Sequence, residues 1–305
     1  MLLFIFKRFL WGIPVLLTVA TLTFAVMHIV PGGPFDKEKR LPPEIKANVE
    51  AKYHLDKPIH QQYILYLYGL IRGDLGPSYK YQGRDVKDII KDTLPVSIQL
   101  GILSLLISIA VGIIAGVIAG VRSDSFWDRL TILFAATGIS LPNFIIGALL
   151  ILLFSHFYKI FPPALWEGWR YAILPSITLG FAPAAYIARL TRSSVIDVIN
   201  TDYIRTAKAK GLKDKNIIFK HVLKNSIMPV VTILGPLTAA LVTGSFVVEY
   251  IFSIPGMGRF FITAVTNRDY PLIMGVTLIY TVITVAANIA VDIAYTCLDP
   301  RIRYE

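Results

Sequence analysis

The sequence predicts an all-α, polytopic membrane protein of about six transmembrane helices, with an aqueous helical insertion after the first. Three observations point there. Of the 305 residues, 55% are hydrophobic and only 16% charged, with mean hydropathy +0.62, which is too much apolar surface for a soluble domain and enough for several bilayer spans. The apolar residues are gathered into runs long enough to cross the hydrocarbon core. The basic residues are concentrated in alternate connections between those runs. A net charge of +10 would raise nucleic acid as a partner of a soluble chain; placed in loops between spans it reads as topology, and no nucleic-acid partner is expected. Cys297 is the single cysteine, which excludes an internal disulfide and any cysteine-rich metal site.

In chain order, residues 1–30 form a first, uncleaved span. Lys7 and Arg8 precede an uncharged run from Phe9 to about Met27, longer than a signal-peptide h-region and not followed by an A-x-A-like site. Pro14 near its start would at most kink it. Residues 31–93 are aqueous: charges are dense and of both signs, and Pro43 to Tyr53 and Pro58 to Ile71 each open on a proline at a plausible first helical position. Tyr63, Leu67 and Leu70 make a stripe on the second of these helices, and Arg72 to Ser78 must turn. The insertion reads either as a solvated scaffold or as a ligand-contacting surface.

Residues 94–305 hold the other five spans. The second runs from about Val96 to Val121, with Gly112, Gly116 and Gly120 on one face, which serves either close helix packing or a pore hinge. The third continues to about Ser155 and is interrupted at Leu141-Pro142-Asn143. A proline at membrane depth frees backbone groups that protein or water must satisfy, so this helix is expected to face a partner or a cavity. The fourth covers Ala172 to about Ala188 and ends at Arg189 and Arg192. The fifth covers about Pro229 to Val248, with a break at Gly235-Pro236, and the sixth about Leu272 to Leu298. Asn288 and Asp292 share a face of the sixth; an intramembrane carboxylate is a functional candidate, although two turns from a helix end it can also be structural. Short connections on one side hold Lys7, Arg8, Arg122, Arg129, nine basic residues from Arg189 to Lys224, Arg301 and Arg303, against Lys159, Arg170, Arg259 and Arg268 on the other. That bias puts both termini inside.

The most informative stretch is 195–229, the one long cationic segment between two spans. Ile196, Ile199, Tyr203 and Ala207 fall at offsets of three and four, the stripe of a helix, with Arg205 and Lys208 away from it. Gly211 stops the helix after Lys208 and Lys210. A second helix starts near Asp214 as N-cap and sets Ile218, Phe219, Val222 and Leu223 opposite Lys220, His221 and Lys224. Topogenic charge alone would not require two apolar stripes, so the segment is expected to dock onto something in the cytoplasm.

Arg205-Thr206-Ala207-Lys208-Ala209-Lys210-Gly211 resembles the EAA loop of ABC-importer permeases. Arg205 and Thr206 stand where that pattern has Glu and its first Ala, and His221-Val222-Leu223-Lys224 where it has Ile-x-Leu-Pro, a form similar to the variant of peptide and nickel importers. The phrases LPPEIKANVEAKYHL and GDLGPSYKY in the insertion, the stretches Glu249 to Gly258 and Asn267 to Pro271, and the ending Asp299 to Tyr304 also resemble that group, closest to the oligopeptide permease B-type subunit. The resemblance implies the type I permease fold. It implies ATPase contact through Tyr203, Arg205, Thr206, Ala207, Lys208, Ala209, Lys210, Gly211, Leu212 and His221, and a translocation path near Pro142, Asn143, Asn288 and Asp292. The partners it implies are a second homologous permease, two ABC ATPase subunits, an external peptide-binding protein, the lipid bilayer of a bacterial plasma (inner) membrane, and peptide substrate.

The energy source must lie outside the chain. It contains no Gly-Lys dipeptide and so no P-loop, and no ring of charge near the span midplanes of the kind ion-coupled carriers use. No catalytic residue, cofactor or metal is expected, since the five histidines are scattered and no HExxH occurs. The chain is not expected to be an enzyme. Oligopeptides are the expected substrate, with dipeptides, nickel chelates or other small solutes as the alternative, and an independent secondary carrier as the competing class.

Overall fold

The structure, a computed structural model, describes residues 2–35, 50–243 and 246–298. Among these, five helices are long and apolar enough to cross a membrane: Lys7–Ile29, Val86–Val121, Trp169–Ile199, Met228–Ile251 and Tyr270–Ala290, the last within a helix Tyr270–Leu298. A sixth crossing is made if the pair Phe126–Ser140 and Asn143–Phe157 counts as one span, since the two halves are bent by 113°. The fold is thus an all-α polytopic membrane protein. Two compact units build it, one from residues 1–96 and 255–285, the other from 97–254 and 286–305.

The first helix, Leu2–Ile29, passes through Pro14 unbroken, although Pro14 lies in its interior and leaves the Leu10 carbonyl without its i+4 amide. In the same unit the insertion helix Ile59–Ile71 packs on its far end. The Thr21 hydroxyl meets the Tyr63 phenol at 2.6 Å, and the Phe24 ring lies 5.2 Å from Tyr63 and 5.8 Å from Tyr66. The buried Asp269 ties the insertion to the head of the last helix: its carboxylate accepts from the Ser78 hydroxyl and from the amides of Tyr79 (3.1 Å) and Leu272 (3.4 Å). Burial, with the Asp269 charge beside it, holds the Tyr79 phenol well above its usual range, so that it stays protonated. A cavity of about 450 Å³ lies among these rings, lined by Tyr53, Gln62, Tyr66, Tyr79 and Tyr270. Of the expected helix Pro43 to Tyr53, residues 43–49 lie outside the described residues.

The second unit is assembled around Trp169–Ile199, the span with the largest buried share. Its neighbours approach it through glycine. A Cβ on Gly112 would sit 2.6 Å from Ile187 Cβ, on Gly116 2.5 Å from Thr191 Cβ, and on Gly120 2.6 Å from Val195 Cβ, so the 112/116/120 face is a packing face. Gly138, from the first half of the bent pair, closes on Ala185 Cβ in the same way at 2.4 Å, and Phe134 packs edge-on against Phe181.

Two expectations are corrected here, and one break falls where it was expected. The third span is interrupted at Leu141-Pro142: Leu141 ends one helix with extended backbone and Pro142 caps the next, because Pro142 cannot donate into the preceding helix and disfavours αR at Leu141. The fourth helix does not stop near Ala188 but runs to Ile199, since Arg189 and Arg192 sit at the end of the apolar part and nothing there breaks a helix. The break expected at Gly235-Pro236 does not occur; the helix Met228–Val242 continues through it, and a second helix follows at Phe246–Ile251.

Candidate functional site: the helix after the central span

The central helix ends at Ile199, and Asn200 and Thr201 turn the chain into a short helix, Asp202–Ala209. The expected stripe Ile196, Ile199, Tyr203, Ala207 therefore does not form. A stripe at helical spacing presumes one continuous helix, and the turn at Asn200 resets the phase. The buried face is instead Ile204 and Ala207, packed with Val195, Ile217 and Val222 in one cluster flanked by Val117, Val121, Val198 and Ile199. Full burial of the larger of these side chains is worth about 1.5–3 kcal/mol each, which clamps the short helix to the end of the central one. Tyr203 lies on the outer side, 42% exposed, its phenol accepting from the Asn225 amide at 2.7 Å.

The stop falls where expected. Gly211 has φ +76°, its amide donates to the Lys208 carbonyl (2.9 Å) and the Leu212 amide to the Ala207 carbonyl (3.3 Å). These two bonds are a Schellman closure, which needs a left-handed residue at the position Gly211 fills. Arg205, Thr206, Lys208, Ala209, Lys210, Gly211 and Leu212 are all exposed, and the Arg205–Asp202 pair at 3.3 Å is solvent-screened. The result is a rigid helix with a cationic outer face and an apolar inner face.

The second helix is corrected in its start and its period. Lys213, in extended backbone, occupies the cap position, and Asp214 is the first helical residue, where its charge meets the helix dipole. From Ile217 to Val222 the turn is π-helical, so the buried pair is Ile217 and Val222, five apart, and Phe219 is turned outward at 62% exposure. His221 is half-buried in this turn. The structure thus gathers Tyr203 to Leu212 and His221 into one feature.

The residues expected along a translocation path stand elsewhere. Pro142 is exposed and Asn143 half-buried at the bend, and Asn288 is exposed on the last helix. Asp292 falls in that helix, but its side chain lies outside the described residues, as do Asp299 to Tyr304. Besides Asp269, two further buried carboxylates carry no signal in the sequence. Asp128 receives a fork from Arg192, and Glu249 accepts from the Ser97 hydroxyl at 2.8 Å. Partners 64 and 152 residues apart leave no local signal.

Residues 112–304 match the family described as binding-protein-dependent transport system inner membrane component, and residues 1–101 match the N-terminal region described for such membrane components. The chain belongs to that family. Over 300 residues it is 46% identical to the dipeptide transport system permease protein DppB of Bacillus subtilis, covering 98% of this chain and 97% of that one. It is 43% identical to the oligopeptide transport system permease protein OppB of Haemophilus influenzae and 41% identical to that of Escherichia coli, each over 306 residues and the full length of both chains. Family membership and the long apolar helices together make this an integral membrane permease of the oligopeptide and dipeptide permease group. The relatives are transport subunits, not enzymes.

Proposed function

We propose that the chain is a transmembrane subunit of an ATP-driven ABC importer for oligopeptides, and that Asp202–Ala209 is where its ATPase partner grips. The observation that carries this reading is the two-faced helix with its Schellman stop. Its inner side is clamped by Val195, Ile217 and Val222, while its cationic outer side is left exposed. Ile204 and Ala207 hold it to the spans; Arg205, Thr206, Lys208 and Lys210 meet the ATPase; Gly211 sets its end. A force applied to such an element reaches the central helix instead of being lost in loop motion. On this reading both termini are cytoplasmic, residues 1–30 anchor the chain and 31–93 are an external scaffold. Residues 94–305 enclose half of a path completed by a second permease, with Pro142, Asn143, Asn288 and Asp292 near it. An external binding protein delivers peptide, and two ATPases drive the switch.

The test is to purify the tagged chain in mild detergent and identify by mass spectrometry what accompanies it, comparing it with Gly211→Val. Recovery of a second permease and ATPase subunits, with the ATPases depleted by the substitution, supports the reading. Recovery of the chain alone, with uptake by that chain in vesicles lacking partners, would replace it with a self-sufficient carrier. A dipeptide substrate is favoured by one specific observation, the 46% identity to a dipeptide permease. Competition of labelled dipeptide against labelled tetrapeptide uptake by the reconstituted complex decides between the two.

A further inference from the structure

Asp128 is 1% exposed, and every feature of its surroundings fixes it. The Arg192 guanidinium donates to both carboxylate oxygens, to one through Nε and to the other through a terminal nitrogen at 2.8 Å. The second oxygen also accepts the Asp124 amide at 2.9 Å, where Asp124 itself is left-handed at φ +64°, and the Asp128 amide donates to the capping Ser125 hydroxyl at 3.3 Å. One carboxylate therefore joins the turn 122–125, the first turn of Phe126–Ser140 and the central helix. One turn beyond Arg192 on the central helix is Val195, the residue against which Ile204 and Ala207 pack. In the other direction, Phe126–Ser140 runs about 18 Å at 1.5 Å per residue from Asp128 to Ser140 and there enters the 113° bend at Leu141-Pro142.

We infer that the Asp128–Arg192 fork is the positioning joint through which displacement of the Asp202–Ala209 helix reaches the bent pair Phe126–Ser140 and Asn143–Phe157. The inference rests on the docking role proposed above. Apolar contacts along a helix face permit sliding by a fraction of a turn. A planar guanidinium with two parallel bonds to a buried carboxylate does not. Pulling the end of the central helix thus carries the base of the bent pair with it, and the bend is where that motion can be taken up. Arg189, one turn back from Arg192, lies over the Tyr186 ring of its own helix at 5.7 Å and is not part of the fork.

The experiment uses the full complex reconstituted in proteoliposomes with its binding protein, carrying Arg192→Lys, which keeps the charge and loses the fork. A second form carries Asp128→Asn with Arg192→Gln, a neutral pair that leaves no buried charge alone. Recovered ATPase subunits, ATP hydrolysis and peptide uptake are measured for each. The expected result for Arg192→Lys is normal recovery and hydrolysis with uptake per ATP reduced roughly fivefold or more, the low end of ordinary coupling free energies. Unchanged uptake per ATP in Arg192→Lys overturns the inference, as does loss of the ATPases from both altered forms, which would make the fork a structural staple. Failure of the unaltered chain to recover ATPases or to show ATP-driven uptake would instead sink the importer reading itself.

Discussion

Gly211 has φ +76° and open space where a Cβ would sit, so a substitution there meets only a conformational penalty. A left-handed L-residue costs about 1–2 kcal/mol, less for Asn, more for a β-branched side chain. The expected order of ATPase recovery is therefore Gly211 first, then Gly211→Asn, Gly211→Ala and Gly211→Val, read by co-purification at matched expression. A flat series would mean that the helix stop does not depend on the left-handed residue. Asp269 tests the opposite situation, a residue whose partners are fixed and whose space is full. Its carboxylate serves Ser78, Tyr79 and Leu272 at once; Asp269→Asn turns one acceptor into a donor facing donors and should cost about 1–3 kcal/mol. The check is the midpoint of a thermal-unfolding scan in detergent, which should fall while assembly with partners at low temperature persists.

At the scale of the element, the glycine face of Val86–Val121 separates packing from hinge. The positions where Cβ atoms would stand at Gly112, Gly116 and Gly120 lie 2.5–2.6 Å from side-chain atoms of the central helix, closer than any real contact. Gly116→Ala must push the helices apart or distort one of them, an overpacking cost of about 1–3 kcal/mol. Lower folded yield and an earlier unfolding midpoint are the expected readouts. A variant that folds as well as the parent and merely transports more slowly would restore the hinge reading. The π turn at Ile217–Val222 is a second elemental feature with a physical reason. By spacing Ile217 and Val222 five apart it sets both into the cluster around Ile204, which a strict α period would not.

For the whole molecule, the prediction is topological. With Cys297 replaced by Ser, a cysteine placed at Lys210 should react with a membrane-impermeant thiol reagent only in inverted vesicles, and one placed at Arg170 only in intact cells. The opposite pattern at either position would invert the orientation proposed here. The bent pair matters at this scale as well, since a 113° bend leaves either a broken crossing or a re-entrant hairpin. A cysteine at Lys159, just past the second half, distinguishes the two by the side on which it reacts.

Much of this was legible in the chain itself. The all-α, multi-span class, the break at Leu141-Pro142, the insertion after the first helix, the glycine face and the stop at Gly211 all follow from local chemistry: run length against bilayer thickness, the missing proline amide, the left-handed freedom of glycine. What the sequence could not supply is phase and partnership. The turn at Asn200 moved the buried stripe from Tyr203 to Ile204, and the π turn moved Phe219 outward, because helical periodicity predicts faces only where the helix is continuous and α-helical. The Asp128–Arg192 fork was hidden for a different reason. Charges 64 residues apart carry no mutual mark in the sequence, and only the packing of Phe126–Ser140 on the central helix brings them within reach and buries the carboxylate so completely that it must be paired.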